Sequence, residues 1–191
     1  MAINFDSITV SQKPFSHFHI PFAISESLAE ATLKWFENDA PWNLTETNFY
    51  KQYEFSFMNS EIPSDVTELC DFSTLNKLRV NIENLFEISL SNFVEITAHK
   101  LLEGQKICIH NDYIPDQETH RLIIHLNREW KKEWGGLFLL FNNSNPESLS
   151  RIIMPASRSA IGFAISPSSH HAVSQVHQGE RFTLVYSFCV T

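Results

Sequence analysis

Apolar residues are spaced in two different ways along this chain, and the change falls near residue 92. Before it, two stretches repeat with helical spacing. Leu28, Thr32, Trp35 and Phe36 share one face of a helix that starts around Ser25-Glu26-Ser27-Leu28. Glu30 stands three residues after Ser27, as in a capping box, and Pro41 lies beyond the stop. Leu75, Leu78, Ile82, Leu85 and Phe86 line a second helix, predicted from about Thr74 to Phe86 with Ser73 as N-cap. A strand-like run, Phe15–Ile20, precedes the first helix. The segment from Trp42 to Phe57 alternates in part and is rich in aromatics. It suits a strand with its aromatics in the core, or a substrate-facing edge on which Tyr50, Tyr53 and Glu54 orient a substrate.

From Asn92 onward the runs become short, β-prone and broken by turn residues. They are Phe93–Leu102, Lys106–His110, His120–Asn127, Gly136–Phe141, Arg151–Met154, Ala160–Ile165, Ala172–Val176 and Arg181–Val190. Eight runs suit a double-stranded β-helix, or jelly roll. The expected fold is mainly β with supporting helices. No internal repeat or long linker divides the chain, so residues 1–191 are expected to form one domain, with 1–91 as support and 92–191 as the jelly-roll core.

Composition narrows the function classes. The 14 basic and 22 acidic residues leave a formal charge of −8, the wrong balance for neutralising phosphates, so no nucleic-acid partner is expected. Cys70, Cys108 and Cys189 are odd in number and include no Cys-x-x-Cys pair, which argues against a disulfide framework or a zinc knuckle. Met1–Asp6 opens no basic-then-apolar leader, and no apolar run is long enough to span a membrane. No membrane partner and a cytoplasmic location are expected.

Candidate chemistry begins at His110-Asn111-Asp112. A His-x-Asp pair puts imidazole and carboxylate on one side of an extended strand, because side chains alternate faces. A second imidazole brought in by the fold would complete two His and one carboxylate, a set that suits Fe(II) and leaves three positions open. His170 and His171 both offer that imidazole, and adjacent strand residues cannot both point inward. Arg181 could supply the fork that grips a dicarboxylic co-substrate. Arg121 shares an inward strand face with Ile123, His125 and Asn127, so it needs a co-substrate carboxylate, a substrate carboxylate or a buried acid as its partner. His17, His19, His99, His120 and His177 sit in no motif and read as ordinary surface or core histidines.

With these residues in place, the stretch from Ile96 to Phe188 resembles the Fe(II)- and 2-oxoglutarate-dependent oxygenases, in their prolyl-hydroxylase-like branch. Glu103-Gly104 precedes His110-x-Asp112. His125-Leu126-Asn127 followed by Trp130 is similar to the family's Tyr-Leu-Asn-x-x-Trp, and Gly135-Gly136 before Leu137 takes the place of its glycine-pair turn. His171-x-Val173-x-x-Val176, Gly179-x-Arg181 and Thr183 follow as its last ligand and co-substrate arginine do, which favours His171 over His170. The resemblance implies Fe(II) held by His110, Asp112 and His171, with 2-oxoglutarate and O2 as co-substrates. It further implies Arg181, His125, Thr183 and Arg121 around the co-substrate, and hydroxylation of an amino-acid side chain, free or in a peptide. His125 departs from the family's usual tyrosine, although imidazole can donate the same hydrogen bond. Related halogenases replace the carboxylate with a small residue, so Asp112 points to hydroxylation. Residues 40–54 also resemble small bacterial oxygenases associated with ribosomally made, radical-cyclised peptides. A cupin-like isomerase or lyase would use the same fold but leaves Arg181 unexplained, and a non-catalytic jelly-roll sensor would have no need of a complete ligand set.

Overall fold

The computed structural model describes residues 3–6 and 8–191; Met1 and Ala2, part of the start read above for a leader, lie outside them. The chain opens with β1 (His17–Ile20), α1 (Glu26–Asn38), β2 (Asn43–Glu46), β3 (Lys51–Ser56) and α2 (Phe72–Phe86). Eight strands follow: β4 (Leu90–Leu101), β5 (Ile107–His110), β6 (His120–His125), β7 (Phe138–Phe141), β8 (Leu149–Ile153), β9 (Ala160–Ala164), β10 (His171–Val173) and β11 (Arg181–Val190). They match the eight predicted runs and differ only at their ends.

Two antiparallel sheets hold these strands, in the orders β1-β9-β6-β11-β4-β3-β2 and β5-β10-β7-β8. β4, β6, β9 and β11 lie in one sheet and β5, β7, β8 and β10 in the other, which is the interleaving of a jelly roll. The fold is mainly β with two supporting helices, as the patterning implies. The segment before residue 90 also widens the larger sheet, with β1 on one edge and the β2–β3 hairpin on the other. Among the described residues, no helix is long and apolar enough to cross a membrane.

Both helices start earlier than the sequence pattern places them. α1 is capped by Ser25, whose hydroxyl accepts from the Leu28 amide at 3.2 Å, not by Ser27 in a capping box. α2 is capped by Asp71, whose Oδ1 accepts from the Thr74 amide at 2.6 Å, not by Ser73. A carboxylate satisfies an orphan amide and also complements the positive end of the helix.

Alternation along β11 explains where the cavity lies. Phe182, Leu184, Tyr186 and Phe188 face the layer of Leu28, Leu33, Phe36, Leu78 and Ile82 from the helices. Each fully buried side chain of this size contributes about 1.5–3 kcal/mol. The residues between them, Arg181, Thr183, Val185 and Ser187, face the space between the sheets. Tyr186 is wholly buried, and its hydroxyl donates to the Leu69 carbonyl at 2.9 Å.

The aromatic segment divides in the same way. Phe55 and Phe57 turn toward the helices and pack against Trp35, and Tyr53 lies on the same side, under Lys100. Tyr50, Gln52 and Glu54 line the cavity instead. Of Tyr50, Tyr53 and Glu54, only Tyr50 and Glu54 therefore reach the cavity, because neighbouring strand residues point to opposite faces.

Candidate metal centre

His110 ends β5 and His171 begins β10, and the two are direct cross-strand partners. Opposed residues on adjacent strands stand close enough for their rings to meet, and here the ring centres are 4.2 Å apart. Asp112 follows His110 in a left-handed turn, with φ of 56°. That turn is tied down from the His171 side. Nδ2 of the Asn111 side chain donates to the Pro167 carbonyl at 3.1 Å, and Ser169 Oγ donates to the Asn111 backbone carbonyl at 2.9 Å.

Each imidazole is set in one tautomer by a carbonyl two residues before it. Nδ1–H of His110 donates to Cys108 at 2.8 Å, and Nδ1–H of His171 donates to Ser169 at 2.7 Å. A carbonyl can only accept, so in the neutral ring the proton sits on Nδ1 and Nε2 carries the lone pair, the tautomer in which imidazole binds a metal. Asp112 Oδ2 lies 3.4 Å from Nε2 of His110 and 3.0 Å from Nε2 of His171. One donor atom from each of the three residues falls within 4.8 Å of the others, a group that could hold a metal ion. Its two imidazoles and one carboxylate are the donor set of mononuclear Fe(II) oxygenases. His170 is outside this group; its Nδ1 is buried without a partner.

Electrostatics bind the carboxylate further. Burial alone would raise the pKa of Asp112, but Arg121, His110 and His171 override it and hold the carboxyl well below the usual range. For His171, burial lowers the pKa and the Asp112 hydrogen bond offsets part of the effect. The Arg121 guanidinium spans two acids, giving Nη1 to Asp112 and Nε and Nη2 to Glu118 at 2.9 and 2.6 Å. Of the three partners the sequence allowed for this arginine, the protein itself supplies a buried acid. Each nitrogen of Arg121, expected among the co-substrate residues, thus donates once to a carboxylate of the protein itself.

The group opens into a cavity of about 280 Å³ lined by both sheets, with Ile107, Ile123, Phe138, Val173 and Val185 as its apolar part. Arg181 and Thr183 also line it. Arg181 is 3% exposed and makes no ion pair among the described residues; burial pulls its pKa down to about 9. Its Nε donates to the Gly136 carbonyl at 2.8 Å. Gly136 has φ of 62°, and a Cβ there would stand 2.9 Å from Arg181 Cδ and 3.0 Å from Trp130 Cζ2. The glycine pair and Trp130, whose Nε1 donates to the Gly135 carbonyl at 2.8 Å, thus form the seat of the arginine.

His125 is the cross-strand neighbour of Thr183 and is fully buried. Both of its ring nitrogens lack a hydrogen-bond partner. Burial first, and Arg181 second, push its pKa well below the ordinary value, so the ring is neutral. Arg181 and Thr183 thus lie on the cavity wall, and His125, which is not among the wall residues, is buried next to Thr183.

The cavity residues that the sequence reading left without a role include His99 and Gln52. His99, expected to be an ordinary histidine, faces inward on β4 opposite Thr183 and Glu54. Gln52 lines the cavity while 3% exposed. Neither lies in a motif, and only strand register could have found them.

A family model described as the 2OG-Fe(II) oxygenase superfamily matches residues 96–188. Among solved structures, the chain is similar to a Pseudomonas putida prolyl-4-hydroxylase at 16% identity and a TM-score of 0.75, covering 92% of each chain. A Trichoplax adhaerens prolyl hydroxylase in complex with a hypoxia-inducible-factor peptide fragment gives 12% identity and a TM-score of 0.75, over 91% of this chain and 83% of that one. HygX from Streptomyces hygroscopicus, solved with nickel and 2-oxoglutarate bound, gives 11% and 0.64 over 92% and 83%. These likenesses agree with the jelly roll built above. The match to the 2OG-Fe(II) oxygenase superfamily over residues 96–188, together with the His110–Asp112–His171 group, makes this chain a dioxygenase that works with Fe(II), 2-oxoglutarate and O2.

Proposed function

We propose that this oxygenase hydroxylates an amino-acid side chain presented in a peptide or protein. His110, Asp112 and His171 would hold the Fe(II). Their fixed tautomers and the closeness of one donor atom from each carry the assignment. Arg181, helped by His125 and Thr183, would take the distal carboxylate of 2-oxoglutarate. The unpaired guanidinium and the partnerless imidazole support that role. Arg121 positions Asp112, and through it the metal, instead of meeting the co-substrate.

Bound Fe(II), supplied with 2-oxoglutarate and O2, provides an oxidant able to hydroxylate an unactivated C–H bond, with succinate and CO2 as co-products. The chain's own part is orientation and exclusion of water. Ile107, Ile123, Phe138, Val173 and Val185 give the cavity an apolar part, and the Phe49 ring from the β2–β3 turn packs beside His110 with centres 5.1 Å apart. A peptide substrate is supported by the Trichoplax relative, which was solved with one. A reducing, cytoplasmic setting agrees with three free cysteines. The cupin-like alternative leaves Arg181 and His125 with nothing to bind.

The test is succinate formation by the purified protein given Fe(II), ascorbate and 2-oxoglutarate. Turnover above background is expected even without a peptide. His171→Ala should abolish it, while His170→Ala should keep most of it. Loss in His170→Ala with survival in His171→Ala would overturn the ligand assignment.

A further inference from the structure

One wall of the cavity has no task in holding metal or co-substrate. It is the inward side of β3 and β4, where Tyr50, Gln52, Glu54 and His99 lie. Glu54 carries the charge of this wall. Its Oε1 accepts from Thr45 at 2.8 Å and its Oε2 from Gln52 Nε2 at 2.9 Å. Among the described residues no lysine or arginine pairs with it. The nearest base is His99, with Nε2 4.0 Å away, and burial keeps that ring neutral by lowering its pKa to about 3. A partly buried carboxylate therefore faces the cavity with no lysine or arginine beside it among the described residues, an arrangement that favours a cation arriving from outside.

Gln52 gives an independent sign. Its amide orientation is fixed, because Nε2 must be the atom that meets the Glu54 carboxylate. Oε1 is then buried in a cavity-lining residue with no hydrogen-bond partner. An unmet buried carbonyl is unfavourable, and it accepts a donor from whatever fills the space. Tyr50 lies within electrostatic reach of both Glu54 and Asp112, so this wall adjoins the metal group. The distal carboxylate of 2-oxoglutarate is the wrong ligand here, since two carboxylates repel. A neutral ring such as that of proline would leave Glu54 and Gln52 both unmet.

We infer that the substrate bears a cationic side chain, an ammonium or guanidinium, which pairs with Glu54 and donates to the Gln52 carbonyl in the oxygenase cavity. The inference rests on the oxygenase reading for the word substrate, while the cation site itself stands on Glu54 and Gln52.

The test is calorimetric binding of acetyl-Gly-X-Gly-amide peptides to the full chain, with X as lysine, arginine, norleucine or citrulline. Lysine or arginine should bind at least about tenfold more tightly than its neutral counterpart, as a charge-assisted pair requires. Glu54→Gln should bring that ratio close to one, and Gln52→Met should reduce it in part. If thermal unfolding shows that Glu54→Gln does not fold, Glu54→Asp, which draws the carboxylate back, should still narrow the ratio. Equal binding of cationic and neutral peptides, no binding of the cationic ones, or an unchanged ratio in the folded Glu54 variant overturns the inference. Succinate formation is scored separately. Turnover without cation selectivity removes the inference alone, whereas selective binding without turnover upholds the cation site and removes the oxygenase reading.

Discussion

Replacing His125 with phenylalanine should stabilise the free protein and weaken its grip on 2-oxoglutarate. His125 is fully buried and neither ring nitrogen has a partner, so folding strips both of water and returns nothing. An unsatisfied buried polar group costs about 1–3 kcal/mol, and an apolar ring of similar shape removes that cost. For a chain of this length each kcal/mol moves the melting temperature by about 2–4 °C. The same substitution deletes the donor assigned to the distal carboxylate. A hydrogen bond to a charged group is worth about 1.5–3 kcal/mol, which converts to an increase of about ten- to hundredfold in the 2-oxoglutarate Kd. Thermal unfolding of the metal-free protein gives the first quantity and calorimetric titration with 2-oxoglutarate the second. Opposite signs are the signature of a residue kept for binding at a cost in stability. A variant that melts lower and binds 2-oxoglutarate unchanged would refute the reasoning, because His125 would then be only a packing residue.

Three further outcomes follow from the geometry. Gly136→Ala places a methyl 2.9 Å from Arg181 Cδ at a φ of 62°; it should raise the KM for 2-oxoglutarate about tenfold and cost about 1–2 kcal/mol of stability, and an unchanged KM would count against Gly136 as the arginine's seat. Arg121→Gln should weaken Fe(II) binding about 10–100-fold in a metal titration, with partial recovery in Arg121→Lys; if affinity is unaltered, Arg121 does not act through Asp112. The His120 ring packs on Phe86 with centres 4.8 Å apart, and burial lowers its pKa to about 4. The unfolded state therefore binds the proton first. The stability this neutral ring contributes is complete above its ordinary pKa of 6.5 and is lost as pH falls toward 4, amounting to about 2 kcal/mol at pH 5. Urea unfolding of His120→Leu should show that much less acid destabilisation than the parent between pH 7.5 and 5; an identical loss in both would place the effect in other groups.

How much was legible depended on how local the physics is. The eight strands after residue 92 could be read because alternation is a property of neighbouring residues, and a face buried against a sheet fixes it. The helix stripes were legible for the same reason. Their caps were misplaced by two residues each, since Ser25 and Ser27, or Asp71 and Ser73, offer competing oxygens that sequence spacing does not rank. Tyr53 was grouped with Glu54 although a strand sends adjacent residues to opposite faces. Period two alone could have corrected that.

By itself, then, the sequence determined the succession of elements, the His-x-Asp pair, the later histidine and arginine, and the glycine pair on which that arginine rests. The elements and the His-x-Asp pair are set by spacing along one stretch of chain, whereas the later histidine, the arginine and the glycine pair stand out through the family resemblance. Only the tertiary structure decided which groups meet. It made His171 the cross-strand partner of His110, spent Arg121 on Asp112 and Glu118, and set Glu54 and His99 side by side in the cavity. Those contacts join strands far apart in the chain through register, and register comes from the packing of two whole sheets rather than from any one segment.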